Sequence, residues 1–175
     1  VSNLSSSRAL KEVTNSHGCE HFFSAVGEVN VVELMKEKNA VIGGEGNGGV
    51  ILPDLHYGRD ALIGIALFLS HLARSNLSCS ELKSKYPSYF MSKDKIKLNN
   101  SVNVKNIINM ISEKYPNEKI NKVDGLKIDF ENSWVQLRKS NTEQIIRIYS
   151  EAKSQEEANL LSKKIVNQIL EIAIE

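Results

Sequence analysis

Residues 43–49 hold the densest concentration of residues that can contact a small ligand. The segment reads Gly-Gly-Glu-Gly-Asn-Gly-Gly, so five of its seven residues are glycine. Glycine lets the backbone approach a ligand closely, and Glu45 and Asn47 add a carboxylate and an amide for binding hydroxyl groups. This combination is typical of a sugar-binding loop. A turn in which the glycines serve backbone geometry alone is the alternative interpretation.

The same glycines match the spacing of a nucleotide-binding loop, but the residues that follow them do not. Gly44, Gly46 and Gly49 fit the pattern Gly-x-Gly-x-x-Gly. A dinucleotide-binding loop opens directly into a helix, whereas residues 50–53 read Val-Ile-Leu-Pro. No Gly-Lys-Ser or Gly-Lys-Thr ending follows, so the sequence does not meet the pattern of a P-loop either.

A second polar segment, residues 138–143, combines groups that bind an oxyanion. It reads Arg-Lys-Ser-Asn-Thr-Glu and is followed by Arg147. A guanidinium group, two hydroxyls, an amide and the N–H groups of a turn can together hold a phosphate monoester. The same segment can instead be an ordinary polar turn, in which Ser140, Asn141 and Thr142 satisfy their own backbone.

The elements around the glycine-rich segment alternate between strand and helix. A strand at the start of the chain opens the order βαβαβ, which predicts an α/β domain with a mainly parallel sheet and flanking helices. Val29, Val32 and Met35 are expected to face its core, and the apolar helix after the glycines is expected to pack on the sheet. We place this domain at residues 1–98. Its further elements are helix 8–17, strand 20–26, helix 29–38, strands 40–43 and 50–52, and helices 59–74 and 78–86.

A polar stretch at residues 89–103 is interpreted as the link to a second domain, residues 99–175. Its pattern predicts a small α+β domain, in which two helices cover a four-stranded antiparallel sheet. The predicted elements are helix 104–115, strands 120–124, 126–130, 134–138 and 145–151, and helix 155–174.

Composition excludes several classes of function. The 22 Lys and Arg residues nearly balance the 21 Asp and Glu residues, so no nucleic-acid partner is expected to bind by bulk electrostatics. The longest apolar run, residues 61–69, is about half the length of a membrane span, so no membrane partner is expected. Cys19 and Cys79 lack the spacing of a zinc or redox site, which favours the reducing cytoplasm.

Taken together, the two polar segments resemble the C-terminal half of the α-D-phosphohexomutase superfamily, the phosphoglucosamine, phosphomanno- and phosphoglucomutases. Residues 44–49 look like the sugar-binding loop of that family's third domain, and residues 138–143 look like the phosphate-binding loop of its fourth. The order of the segments and the predicted layout agree, so the resemblance spans essentially the whole chain.

The resemblance implies a phosphosugar substrate and a role for each segment. Glu45, supported by Gly46, Asn47 and Gly48, would bind the sugar hydroxyls. Three nearby residues can line the cleft: Glu28, Tyr57 and Arg59. The alternative for Arg59 and Asp60 is that they cap the helix that follows and form a salt bridge. The phosphate that is not being transferred would be held by Arg138, Ser140, Asn141, Thr142 and Arg147.

In that family a phosphoserine and Mg²⁺ convert one hexose phosphate to another through a hexose 1,6-bisphosphate. Neither the serine loop nor the aspartate-rich metal loop is recognised in this sequence. Residues 5–7 are interpreted as helix caps, and Asp124 and Gly125 as a hairpin turn. We therefore expect no catalytic residue and no metal ligand in this chain, and we expect Mg²⁺ to be bound by upstream domains 1 and 2 of a longer enzyme.

The sugar loop departs from the family pattern at two positions. Asn47 stands where Ser is more usual, and Gly49 stands where His is often found. Glu28, directly after Gly27, favours the phosphoglucosamine branch over the phosphomannomutase and phosphoglucomutase branches, which stay open. A non-catalytic binding module is the alternative from another class, because a fold does not by itself define a function.

Overall fold

The protein is represented by a computed structural model that describes residues 1–97, 103–140, 143 and 145–174. The chain divides into two compact units, Val1–Ser88 (unit 1) and Tyr89–Glu175 (unit 2). This division lies closer to the N-terminus than the boundary expected at 98/99. The reason is that residues 90–97 form a strand in the sheet of unit 2.

Unit 1 is built on a sheet of four strands in the order β2-β1-β3-β4. β1 runs parallel to both β2 and β3, and β3 pairs with β4 in the antiparallel sense. The α/β class and the mainly parallel sheet are therefore confirmed, although each strand is only two residues long. The strands are β1 (Ser2–Asn3), β2 (Phe23–Ser24), β3 (Gly43–Gly44) and β4 (Val50–Ile51). The helices are α1 (Ala9–Ser16), α2 (Glu28–Glu37), α3 (Ala61–Ser75) and α4 (Cys79–Ser84).

The core of unit 1 lies between α2 and the sheet, where Val31, Met35 and Ile51 are fully buried. The expected inward position of Val29 is wrong, since this side chain is 69% exposed. Val31 and Met35 are four residues apart and share one face of the helix, which turns Val29 toward solvent. At Gly43 a Cβ atom would lie 2.1 Å from the sulfur of Met35, so glycine permits the close contact of α2 with β3.

The apolar helix α3 packs on the sheet only in part. Asp60 caps its start by accepting hydrogen bonds from the N–H groups of Leu62 and Ile63 at 2.8 and 3.0 Å. Gly64 lies against Val50 of β4. No residue of α3 is fully buried within the described part of the chain, and Leu62 is 78% exposed, so the expected burial of this helix is not observed.

Unit 2 contains one antiparallel sheet of five strands in the order β5-β9-β8-β7-β6, so the predicted number of four strands is wrong. The additional strand pairs with β9 along its whole length and forms an edge of the sheet. The strands are β5 (Phe90–Lys97), β6 (Lys119–Asn121), β7 (Leu126–Asp129), β8 (Trp134–Lys139) and β9 (Ile145–Ala152). The helices are α5 (Val104–Glu113) and α6 (Gln155–Ile174).

The helices of unit 2 pack on the sheet around a single apolar core, which confirms the α+β class. Isoleucines supply most of this core, because β-branched side chains fit a pleated surface covered by helices. The segment 138–143 spans the connection from β8 to β9 at one end of the sheet. Members of the core include Ile107, Ile111, Leu126, Ile128, Val135, Leu137, Ile146, Ile148, Ile165 and Ile169.

None of the helices in the described ranges combines the length and the apolar character needed to cross a bilayer.

Candidate functional site

The glycine-rich segment forms the tight connection between β3 and β4. The N–H of Glu45 donates to the carbonyl of Gly49, and the N–H of Gly48 donates to the carbonyl of Glu45, both at 3.0 Å. Gly48 has a φ of 93°, and a Cβ atom at Gly44 would lie 2.3 Å from the Gly49 oxygen. At these two positions the turn itself requires glycine. The geometric interpretation therefore accounts for part of the glycine content but not for Glu45.

The carboxylate of Glu45 is fixed on one side, and its side chain is only 6% exposed. Its Oε1 accepts hydrogen bonds from the Asn3 side chain at 2.9 Å and from the N–H of Gly27 at 3.1 Å. Asn47 donates to Oε2 at 3.4 Å and accepts from the N–H of Gly49 at 3.0 Å, so it also stiffens the loop. This arrangement orients a carboxylate before any ligand arrives.

Asn3 is a site residue that the sequence analysis missed. It ends β1, and its Oδ1 accepts from the hydroxyl of Ser6 at 2.8 Å and from the N–H of Ser5 at 3.1 Å. Ser6 was expected to cap α1. It instead belongs to this buried network. The sequence could have indicated Asn3 through its position at the end of the first strand, because ligands of parallel sheets bind beyond the carboxyl ends of the strands.

Two of the three expected cleft residues are brought to Glu45. The Nε of Arg59 donates to Oε2 of Glu28 at 2.8 Å, and the Arg59 N–H donates to Oε1 at 3.0 Å. This N–H, together with the guanidinium, holds the pKa of Glu28 below its ordinary value. The NH1 of Arg59 lies 3.8 Å from Oε2 of Glu45. Tyr57 instead contacts Lys36, whose Nζ lies 4.9 Å from the centroid of the tyrosine ring.

An open depression of about 610 Å³ lies beside this group of residues. Glu28, Asn47, Gly49 and Arg59 line it, whereas Glu45 lines a separate, mostly apolar cavity of about 240 Å³. Gly46 and Gly48, which were expected to approach the sugar, are both exposed. Glu28, Asn47 and Arg59 therefore face an opening large enough for a hexose ring.

The second segment places two arginines side by side. Arg138 of β8 and Arg147 of β9 are direct cross-strand partners, so their side chains lie on the same face of the sheet. Among the described residues, Arg138 forms a loose ion pair with Asp124 at 3.7 Å, and Arg147 forms one with Glu143 at 3.9 Å. Opposed like charges repel each other, and an anion bound between them would relieve that repulsion.

The other predicted members of the phosphate loop are only partly described. Ser140 is buried, and its N–H donates to the carbonyl of Ile145 at 3.0 Å. Asn141 and Thr142 lie outside the described residues.

Lys95 was missed as a neighbour of this segment. It is exposed on β5 and is the cross-strand partner of Arg147, so three cationic residues lie in one row across adjacent strands. The signal was the alternation of Lys93, Lys95 and Lys97 around the buried Ile96, which indicates an edge strand.

No group of three or more His, Cys, Asp or Glu side chains that could hold a metal ion is found in the part of the chain that the structure describes. Cys19 and Cys79 are both free and exposed.

Family models identify both units. The model of phosphoglucomutase/phosphomannomutase alpha/beta/alpha domain III matches residues 1–89, and that of the C-terminal domain matches residues 93–168. The chain belongs to the phosphoglucomutase/phosphomannomutase family. The resemblance to the third and fourth domains of these enzymes is thereby confirmed.

Individual mutases match over nearly the whole chain. A phosphoglucomutase/phosphomannomutase of Thermococcus kodakarensis is 37% identical over 160 residues, which are 90% of this chain and 35% of that protein. A phosphoglucosamine/phosphogalactosamine mutase of Sulfurisphaera tokodaii is 34% identical over 174 residues, which are 98% of this chain and 37% of that protein. The chain thus spans little more than a third of the length of these mutases.

A solved structure shares the mutase fold. The crystal structure of a phosphoglucomutase/phosphomannomutase family protein from Burkholderia thailandensis has a TM-score of 0.78 and 23% sequence identity. It covers 98% of this chain, which corresponds to 37% of the crystallised chain. This likeness supports the architecture of both units.

Proposed function

We propose that the chain is the C-terminal, substrate-binding half of a phosphohexomutase, which interconverts hexose 6-phosphate and hexose 1-phosphate through a bisphosphorylated sugar. The observation that carries this proposal is the pair of matches to domains III and IV, in that order along the chain. Glu45 and the paired arginines then supply, within their own units, one site for hydroxyl groups and one site for a phosphate.

The sugar is bound through the glycine-rich loop. Asn3 and Gly27 already occupy Oε1 of Glu45, so Oε2 is the atom that accepts a hydrogen bond from a sugar hydroxyl. Asn47 has a second amide hydrogen that can donate to a sugar oxygen, and the exposed backbone of Gly46 and Gly48 lets the ring approach. Because the carboxylate is oriented in advance, little entropy is lost when the sugar binds.

The phosphate that is not being transferred is bound at the connection between β8 and β9. A phosphate monoester carries about two negative charges at neutral pH and accepts several hydrogen bonds. Arg138 and Arg147 offer charge-assisted hydrogen bonds, and Lys95 adds a third positive charge in the same row. Hydroxyl and amide donors come from Ser140, Asn141 and Thr142.

Such an anchor suits a reaction in which the sugar must present either end to the same nucleophile. Holding one phosphate fixes the orientation of the other, and positioning accounts for much of the catalysis of phosphoryl transfer. The anchor must recognise the phosphate and not the ring, because the ring turns round between the two half-reactions. A cluster of cations meets that requirement, because its charge-assisted hydrogen bonds are made to the phosphate.

The chemical step itself is assigned to residues outside this chain. We propose that a phosphoserine and Mg²⁺ are held by upstream domains 1 and 2, where the metal would offset charge on the transferring phosphoryl group. The chain alone then binds a hexose 1,6-bisphosphate without turning it over. We also propose the cytoplasm as its compartment, on the basis of its two unpaired cysteines.

Glucosamine phosphate is the substrate we favour. Glu28 follows Gly27 directly, and the Sulfurisphaera tokodaii relative is a phosphoglucosamine/phosphogalactosamine mutase. Mannose and glucose phosphates are the second candidates, because the Thermococcus kodakarensis relative is a phosphoglucomutase/phosphomannomutase. The ratio of kcat/KM for these substrates, measured on the complete polypeptide, decides between them.

Calorimetric titration of the chain with glucose 1,6-bisphosphate tests the binding role. We expect saturable binding that Arg138→Ala abolishes and Lys139→Ala leaves intact, because Lys139 lies on the opposite face of the same strand. Absence of binding would contradict the proposal. Tight polynucleotide binding with a steep salt dependence would instead favour a non-catalytic binding module. Mutase activity of the chain alone would contradict the assignment of the nucleophile to another segment.

A further inference from the structure

Arg59 is held in a defined position by a single carboxylate. Both oxygens of Glu28 are engaged, one by the backbone N–H of Arg59 and the other by its Nε. Two hydrogen bonds from the same residue to one carboxylate fix the direction of the side chain as well as its starting point. Glu28 therefore restrains both the backbone and the guanidinium of Arg59.

The stem of Arg59 fills the space beside Gly49. A Cβ atom added to Gly49 would lie 2.6 Å from Cδ of Arg59 and 3.2 Å from its Cγ. The first distance is shorter than real Cβ contacts allow, so a side chain at position 49 and the present position of Arg59 exclude each other. Gly49 has no left-handed φ, so its requirement for glycine comes from this contact and from crowding by Asn47.

The terminal nitrogens of Arg59 remain available to a ligand. Its NH1 lies 3.8 Å from Oε2 of Glu45, which is an ion-pair distance but too long for a hydrogen bond. Within the described residues, neither NH1 nor NH2 makes a hydrogen bond to the protein. The side chain is 48% exposed and lines the depression next to Asn47. A planar fork of donors thus faces the opening beside the carboxylate of Glu45.

The charges around the Arg59 guanidinium determine which ligand group it would bind. Glu28 and Glu45 place two carboxylates around one guanidinium, so the immediate surroundings carry a net negative charge. A phosphoryl anion would be repelled there, whereas a neutral hydroxyl can accept from Arg59 and donate to Oε2 of Glu45. The pair is therefore complementary to a sugar hydroxyl.

We propose that Arg59 is a substrate-binding residue of the sugar site. Its aliphatic stem occupies the space that a side chain at position 49 would fill, and its guanidinium donates to one hydroxyl of the hexose. This inference rests on the proposed function. It turns Arg59 from a residue expected only to line the cleft into a cationic donor for a specific hydroxyl group.

Steady-state kinetics of the complete polypeptide test this assignment. We expect Arg59→Gln to raise KM for the hexose phosphate by roughly tenfold or more, because a hydrogen bond from a charged donor is lost. Arg59→Lys keeps the charge but not the fork, and we expect an intermediate KM. Arg74→Gln, which removes the same charge at the exposed end of α3, is the matched control and should leave KM unchanged.

Monodeoxy hexose phosphates distinguish contact from a structural effect. For the analogue that lacks the contacted hydroxyl, wild type and Arg59→Gln should have the same KM, while the other analogues keep the difference. An unchanged KM for Arg59→Gln with every sugar would overturn this inference and leave the proposed function intact. An equal effect of Arg59→Gln on every analogue would also overturn it. If the wild-type enzyme used no hexose phosphate at all, both proposals would fall.

Discussion

The carboxamide of Asn3 and the carboxylate of Glu45 are joined by a hydrogen bond of 2.9 Å across 42 residues of sequence. Asn3 is itself only 4% exposed and is held by Ser6. The end of β1 thus orients the acid that the glycine-rich loop presents. Without this contact the loop could keep its turn, but the direction of the carboxylate would no longer be fixed.

Replacement of Asn3 should weaken both folding and sugar binding. Asn3→Ala leaves Oε1 of Glu45 and the Ser6 hydroxyl short of a partner, so we expect a loss of about 1–3 kcal/mol in the free energy of unfolding. Asn3→Asp should cost more, because it places a second carboxylate beside Glu45. Urea denaturation measures the change in the free energy of unfolding, and calorimetry measures the change in sugar affinity. Asn15→Ala, on the exposed surface of α1, is the control. Unchanged stability and affinity in Asn3→Ala would contradict the assigned role.

The contact between Gly49 and Arg59 predicts strong coupling of two substitutions. Gly49→Ala should destabilise the wild-type chain by about 1–3 kcal/mol, because the new methyl group collides with the Arg59 stem. In an Arg59→Ala background that stem is absent, and we expect most of the cost to disappear. A double-mutant cycle of unfolding free energies measures the coupling. Equal costs of Gly49→Ala in both backgrounds would show that the collision is not the cause.

The ion pair between Glu28 and Arg59 predicts a defined dependence on pH. The pKa of Glu28 is lowered in the folded chain, chiefly by the N–H of Arg59. The stabilisation is therefore fully present above the ordinary glutamate pKa of about 4.3 and is lost as the pH falls through the lowered value. Titration of the Glu28 carboxyl by NMR should show this lowering.

In Arg59→Gln the pKa of Glu28 should rise only part of the way toward its ordinary value, because the backbone N–H still donates. Arg74→Gln should not change it. A wild-type pKa of Glu28 at or above the ordinary value would mean that the pair does not form in solution.

The sequence was most informative where residue type is dictated locally. The segment 43–49 and Arg138 could be recognised because glycine at Gly44 and Gly48 is demanded by the turn, and because arginine beside small polar residues suits a phosphate. Asn3 could not be recognised in this way. Only the parallel pairing of β1 with β3 brings it to Glu45, and such long-range pairing leaves no local signal.

Two errors in the predicted fold have a common physical cause. Apolar residues 29, 31, 32 and 35 allow two alternative stripes on α2, and packing against the sheet selects Val31 and Met35. In β5 only Ile96 is buried, so an edge strand is almost as polar as a linker. The spacing of apolar residues identifies a helix or strand only when enough of its side chains are buried to produce a regular apolar pattern.

That unexpected edge strand yields the last prediction, which concerns Lys95. If Lys95 contributes to the phosphate site beside Arg147, Lys95→Met should weaken binding of a hexose phosphate roughly fivefold, since exposed charge pairs contribute up to about 1 kcal/mol. Lys139→Met is the matched control, because it removes the same charge from the opposite face of β8. Calorimetry at low and at high salt should show the difference between the variants shrinking as salt screens it. Equal weakening by both substitutions would mean that bulk charge, and not the row of three cations, attracts the phosphate.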